Sequence, residues 1–362
     1  MDKHHQTNEH FTKLSLKELF NQTASNAATE FPHEIGNLYL SSPSAGQIYT
    51  SPTAVQLMAD NQKETEAGIK SAVDYVRNQG VTGLARTVSV KKRTSLFTAK
   101  KHDFNIIVMN MDETFLNQNI GPHAAGNFSS TVHMINILDH ELGHHVTPGG
   151  KGERNPNMME SAADAYGALR HVQRFGKNTD FFEHAIAKRT LLLVHNDSPL
   201  HFTSPVMQKI EKLRHEIDIE SLTPKETANL AGRLARTHHM EIGALSMVAA
   251  AFKPMRMWLQ QSGIGKADIN KINPKDNVGY FQTLIAIMKA HKNIPDVYRA
   301  GKIVIEKHMP EIMKESANND FWRAALSFME THEKNSGIIL NFGEARDAMH
   351  RNPAKTMPSP RM

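Results

Sequence analysis

Ile135-Asn-Ile-Leu-Asp-His-Glu-Leu-Gly-His-His-Val146 carries the pattern His-Glu-x-x-His at residues 140–144. On a helix, positions i and i+4 share a face, so His140 and His144 aim their imidazoles at one point. That geometry suits two ligands of a tetrahedral Zn2+, with Glu141 beside them as general base. Ile135, Leu138, Leu142 and Val146 fall on the opposite face, which predicts an amphipathic helix with one apolar and one chemical side. Ser129-Ser130-Thr131 supplies a cap before it, and Pro148-Gly149-Gly150 a stop after it. Gly143 stands in mid-helix, where it costs about 1 kcal/mol against alanine. Close approach of another backbone, or of the metal site, would explain it. His145 lies about 140° round the helix from His140 and is not expected to be a ligand.

A catalytic zinc takes a third protein ligand and leaves a fourth position for water. The continuation Gly-x-x-His that would follow in a metzincin is absent after His144. Downstream, Asn155-Pro156 reads as an N-cap followed by proline at the first helical position, so a second helix is predicted there. The Pro/Gly-rich segment 147–156 is long enough to turn it back against the first. Glu160 and Asp164 are again i and i+4 on one face, and the small Ala163 and Gly167 beside them favour close helix approach.

His140, Glu141, His144, Glu160 and Asp164, in this order and with Ala-Tyr-Gly after the aspartate, resemble the gluzincins, the thermolysin-like zinc metallopeptidases. The resemblance covers about residues 104–175, and the interval from His144 to Glu160 is shorter than in thermolysin. It implies Glu160 as the third metal ligand and Asp164 as the carboxylate that holds His140 by its other ring nitrogen. A ligating histidine needs such an outer partner on general grounds. It also implies an α+β, predominantly α fold, with a small partly antiparallel sheet packed on the HExxH helix and a helical C-terminal half closing the cleft.

The rest of the chain fits that plan. Its 362 residues exceed one comfortable core. The expected organisation is a polar segment 1–50, a zincin-like domain 51–176, a helical domain 177–350 and a tail 351–362. A short helix is expected around Leu14–Phe20 and a longer one from Thr53 to Asn78. Strands are expected at Thr87–Val90, Ser95–Thr98 and Phe104–Met109, with Ala124–Phe128 either an edge strand able to pair with a substrate backbone or a loop. Helices are expected near 180–195, 204–217, 224–240, 241–261, 277–292, 295–316 and 318–334.

There is no cysteine, hence no disulfide and no thiolate zinc site. The opening Met1-Asp-Lys-His-His-Gln lacks an apolar stretch, so no cleaved signal peptide is expected, and the apolar run Ile242–Phe252 is too short to span a bilayer. The expected location is the cytoplasm, or outside it by a route without a cleaved signal, as for bacterial effectors delivered into host cells. Net charge is +5. The cluster Lys91-Lys92-Arg93 with Lys100-Lys101-His102 lacks the aromatic interleaving of a base-stacking surface, so no nucleic-acid partner is expected.

The function expected is hydrolysis of a protein or peptide substrate of narrow range. Zinc polarises the carbonyl and Glu141 moves the proton. A second electrophile for the oxyanion is needed, and His238, His239 and Tyr166 are the weak candidates, with His133 and His171 also on the relevant helix faces. Two alternatives remain at this level. One is a redirected zincin scaffold that binds without cutting. The other is a helical metal-dependent phosphohydrolase using His133, Asp139-His140 and Asp164.

Overall fold

The computed structural model describes residues 16–31, 38–41, 48–50, 66–67, 70–71, 74, 85–90, 104–109, 130–150, 152–195, 199–264 and 271–336. Twelve helices can be followed among them. They are α1 (Leu16–Glu30), α2 (Ser130–Val146), α3 (Pro156–Phe175), α4 (Phe181–His195), α5 (Ser204–Leu213), α6 (Pro224–His238), α7 (Ile242–Ala251), α8 (Lys253–Gln261), α9 (Val278–Ala290), α10 (Pro295–Lys307), α11 (Met309–Ser316) and α12 (Asp320–Ser336). Extended backbone occurs at β1 (Leu38–Ser41), β2 (Ile48–Thr50), β3 (Ala85–Val90) and β4 (Phe104–Met109), paired in the order β2-β1-β4-β3. The β1–β4 pair is parallel and the other two are antiparallel.

The α+β fold class is corrected by this architecture. Of the residues whose side chains are described, 79% are helical and none lies in a strand, which makes the fold all-helical rather than zincin-like. The reason is physical. Runs such as Thr87–Val90 and Phe104–Met109 do take extended backbone, because β propensity is local. Fold class is decided by the elements that bury the core, and here these are helices. Every described side chain that touches the candidate site comes from a helix or from a turn between helices.

The HExxH segment forms α2, and its apolar face is buried as the periodicity requires, with Ile135 and Leu138 at 0% exposure. Its closest partner is α3. A β-carbon on Gly143 would sit 2.8 Å from Cα of Ala163 and 2.9 Å from its carbonyl oxygen, while Gly167 of α3 faces the backbone of His140. Small residues therefore set the α2–α3 spacing, and with it the distance between the two histidines and the carboxylates. Gly143→Ala gains helix propensity but forces these backbones apart. A net loss of about 1–3 kcal/mol is expected, read as a lower urea midpoint, and an unchanged midpoint would contradict the close packing.

Start signals in the sequence correspond to observed caps. Asn155 accepts from the Asn157 amide and Pro156 opens α3. Thr223 and Glu226 form a reciprocal capping box at α6. Two expected helices are each broken in two. The 241–261 segment divides at Phe252, ahead of Pro254, and 295–316 divides at His308, ahead of Pro310. Each proline lacks the N–H that a continuous helix would use. The N-terminal helix runs longer than expected, to Glu30. Glu66, Ala67, Lys70, Ser71 and Asp74 are helical, within the helix expected from Thr53 to Asn78. The expected strand Ser95–Thr98, the Ala124–Phe128 segment, both basic clusters and the tail 351–362 lie outside the described residues.

The chain divides into two compact units, residues 1–189 with 198–245, and residues 190–197 with 246–362. The boundary expected at 176/177 falls within the first of these units. In the first unit α6 runs along α3, and a β-carbon on Gly232 would meet the Pro148 carbonyl at 2.4 Å. In the second, Phe281 packs edge-on to Trp322 at 5.1 Å, and the buried Lys302, Glu333 and Tyr298 form a polar cluster. No helix among the described residues is long and apolar enough to cross a membrane.

Candidate metal centre

The site is made where α2 and α3 lie against each other, wholly within the first unit. His140 Nε2 is 3.5 Å from one Glu160 oxygen, and His144 Nε2 is 3.8 Å from the other. One ligand atom from each of these three residues lies within 4.8 Å of the rest, and this is the metal-compatible group among the described residues. Zinc bonds of about 2.0–2.2 Å in a tetrahedron require ligand atoms roughly 3.3–3.6 Å apart. The two nitrogen–oxygen separations, to different oxygens of the carboxylate, are near that edge length, and all three ligand atoms lie within 4.8 Å of one another. The donor set of two imidazoles and one carboxylate is that of a three-protein-ligand zinc site.

The outer nitrogens make the case stronger. Each ring uses Nδ1 on a partner away from the group, His140 on Asp164 at 2.7 Å and His144 on the Gly150 carbonyl at 2.9 Å. A carbonyl can only accept, so His144 donates from Nδ1 and keeps the Nε2 lone pair for a cation. The two rings stand nearly perpendicular, with centroids 4.9 Å apart. Gly149, at φ +91°, makes the turn after α2, and Gly150 N bonds back to Thr147 O. A segment that reads only as a helix stop thus also orients a candidate ligand.

Asp164 is buried and fully engaged. One oxygen takes His140 Nδ1 and an Arg189 guanidinium N–H, and the other takes the Thr203 hydroxyl. Burial opposes its ionisation, but the charges of Arg189 and His140 hold its pKa well below the usual carboxylate range. Glu160 is half-buried; desolvation opposes its ionisation, but hydrogen bonds from His140 and His201 hold its pKa well below the usual carboxylate range. Burial pushes the His140 pKa down, yet the charge and hydrogen bond of Asp164, with Glu160, raise it to about 10. An incoming metal ion must therefore displace a proton there, which makes metal binding pH-dependent.

Three partners escaped the sequence reading. His201, in the 3-10 turn Pro199–His201, places Nδ1 2.9 Å from Glu160 Oε2. Thr203 and Arg189 hold Asp164. The side-chain amide of Asn157 donates to the carbonyls of Leu200 and Phe202, which anchors the turn that carries His201. No spacing rule joins residue 201 to residue 160. The dibasic Lys188-Arg189, set in the stretch Ala185–Val194 that is otherwise apolar apart from Thr190, was the available signal for Arg189.

Other candidates are placed elsewhere. Tyr166 is 1% exposed and packs edge-on against Phe31. His171 is buried between Asn136 and Thr179 and stacked on Phe181, and burial drives its pKa down to about 3. His239 bonds the Ala235 carbonyl and Glu241, and His238 ends α6. The imidazole beside Glu160 is instead that of His201. His145 is buried and outside the metal group. Asp139 is buried in an ion pair with Arg174, with Nη2 to Oδ1 at 3.0 Å, and does not join His140 and Asp164 in a shared cation site. His133 faces Lys188, with Nζ 3.3 Å from Nε2.

No family model, no curated protein and no solved structure matches this chain.

Proposed function

We propose that the protein is a zinc-dependent metallopeptidase whose ligand set, though not its fold, resembles that of the gluzincins. The observation that carries this reading is the convergence of His140 Nε2, His144 Nε2 and Glu160, with both Nδ1 atoms turned outward onto fixed partners. A zinc ion held by these three residues would polarise a peptide carbonyl and make a water acidic. Glu141, half-buried and next to His140 on α2, takes the proton of the attacking water at its carboxylate and returns it to the leaving amine. His201, bonded through Nδ1 to Glu160 and about two-fifths exposed, sets an imidazole at the rim of the group. It is the ring best placed to meet negative charge on the carbonyl oxygen. Asp164 with Arg189 and Thr203 keeps the His140 ring in place. The burial of Asp139 against Arg174 speaks against the phosphohydrolase alternative, which needs that carboxylate at the metal.

The test is cleavage of a mixed peptide library read by mass spectrometry. Cleavage is expected with zinc, should vanish on chelation and should return on adding zinc back. Cleavage indifferent to the chelator would contradict the reading.

A further inference from the structure

Seven residues before His140 on the same face of α2, the metal group has a neighbour that the chemistry above does not use. Lys188 Nζ lies 3.3 Å from His133 Nε2, and both residues are half-buried. No carboxylate lies within ion-pair reach of Lys188 among the described residues. The nearby Asp164 is taken up by Arg189, the next residue on α4, whose charge adds to that of Lys188. An ammonium in such surroundings carries a desolvation cost that a hydrogen bond to a neutral imidazole offsets only in part. Burial and the charge of Arg189 bring the Lys188 pKa down to about 8, while burial with Lys188 and Arg189 keeps His133 neutral. His133 also sits in the first turn of α2, where the helix dipole favours negative charge.

We propose that Lys188 and His133 form a carboxylate-binding subsite that receives an acidic side chain or the terminal carboxylate of a bound peptide. Seven helical residues span about 10 Å, and an extended peptide advances about 3.3 Å per residue. The carboxylate therefore lies about three residues from the bond presented to the metal group. The subsite rests on the peptidase reading for its peptide ligand, and its chemistry is a carboxylate in either case.

The experiment uses the zinc-loaded Glu141→Gln protein and fluorescein-labelled octapeptide pools read by anisotropy. One series carries Glu or Gln at each position in turn, and another ends in a free acid or an amide. At least ten-fold tighter binding is expected for one Glu position or for the free acid, and these two results separate the two sources of carboxylate. Lys188→Met should erase the preference at unchanged zinc content, and His133→Gln should weaken it if the methionine variant fails to fold. Equal affinity for acid and amide forms, no peptide binding, or a preference that survives both variants would overturn the subsite. Wild-type cleavage of the same pools is scored separately. Cutting without carboxylate preference sinks the subsite alone, and preference without cutting sinks the peptidase reading alone.

Discussion

Glu141→Gln is expected to lower peptide hydrolysis by about 10²–10⁴-fold, the usual weight of a positioned general base. Glutamine keeps the size of the side chain and loses its ability to take a proton. Glu141 is outside the group of His140, His144 and Glu160, so zinc content should not change. Folding should not change either, because the position is half-buried on the chemical face of α2 rather than in its apolar seam. The two readouts together are what make the variant informative. Lost turnover with zinc retained assigns the proton transfer to Glu141. Retained turnover would remove Glu141 from the chemistry.

Glu333→Ala is expected to destabilise the second unit by about 3–5 kcal/mol. Lys302 is 1% exposed, and its ammonium lies 2.9 Å from the Glu333 carboxylate, which also accepts from the Tyr298 hydroxyl at 3.1 Å. Removing the carboxylate leaves the buried ammonium with Glu306 at 3.6 Å, a partly exposed partner on the next turn. The cost arises from taking the nearest counter-charge away from a buried ammonium and not from the strength of the pair. The double variant Lys302→Met with Glu333→Leu removes both charges and should therefore recover most of the loss. Urea unfolding of the three proteins decides it. A loss below about 1 kcal/mol in Glu333→Ala would mean that water reaches the cluster.

The parts of the site that were legible in the sequence share one property: their partners sit at helical spacing. His140 with His144, and Glu160 with Asp164, are each i and i+4, and Asn155-Pro156 marks the start of the helix that brings the second pair to the first. Gly143 was legible as a close contact because a mid-helix glycine needs a reason, and the Ala163 backbone supplies it. What stayed hidden depends on contacts between distant segments. His201 reaches Glu160 across 41 positions, and Thr203 reaches Asp164 across 39, through turns that no periodicity specifies. The Gly150 carbonyl that holds His144 was hidden for another reason. Any residue can offer a carbonyl, so residue identity carries no signal for it. The fold class misled because short runs of β-branched residues predict local extended backbone correctly, yet the core is buried by helices. Helix breaks at Phe252 and His308 were legible in Pro254 and Pro310 but were overridden by the continuous apolar spacing on either side.

The measurement that bears most directly on the central claim is zinc stoichiometry of the purified protein beside its Glu160→Ala variant, by elemental analysis after dialysis. One zinc per chain in the wild type, lost or sharply weakened in the variant, is the expected result. Protein without zinc, or zinc held equally well without Glu160, would contradict the ligand set and leave His140 and His144 as two histidines on a helix.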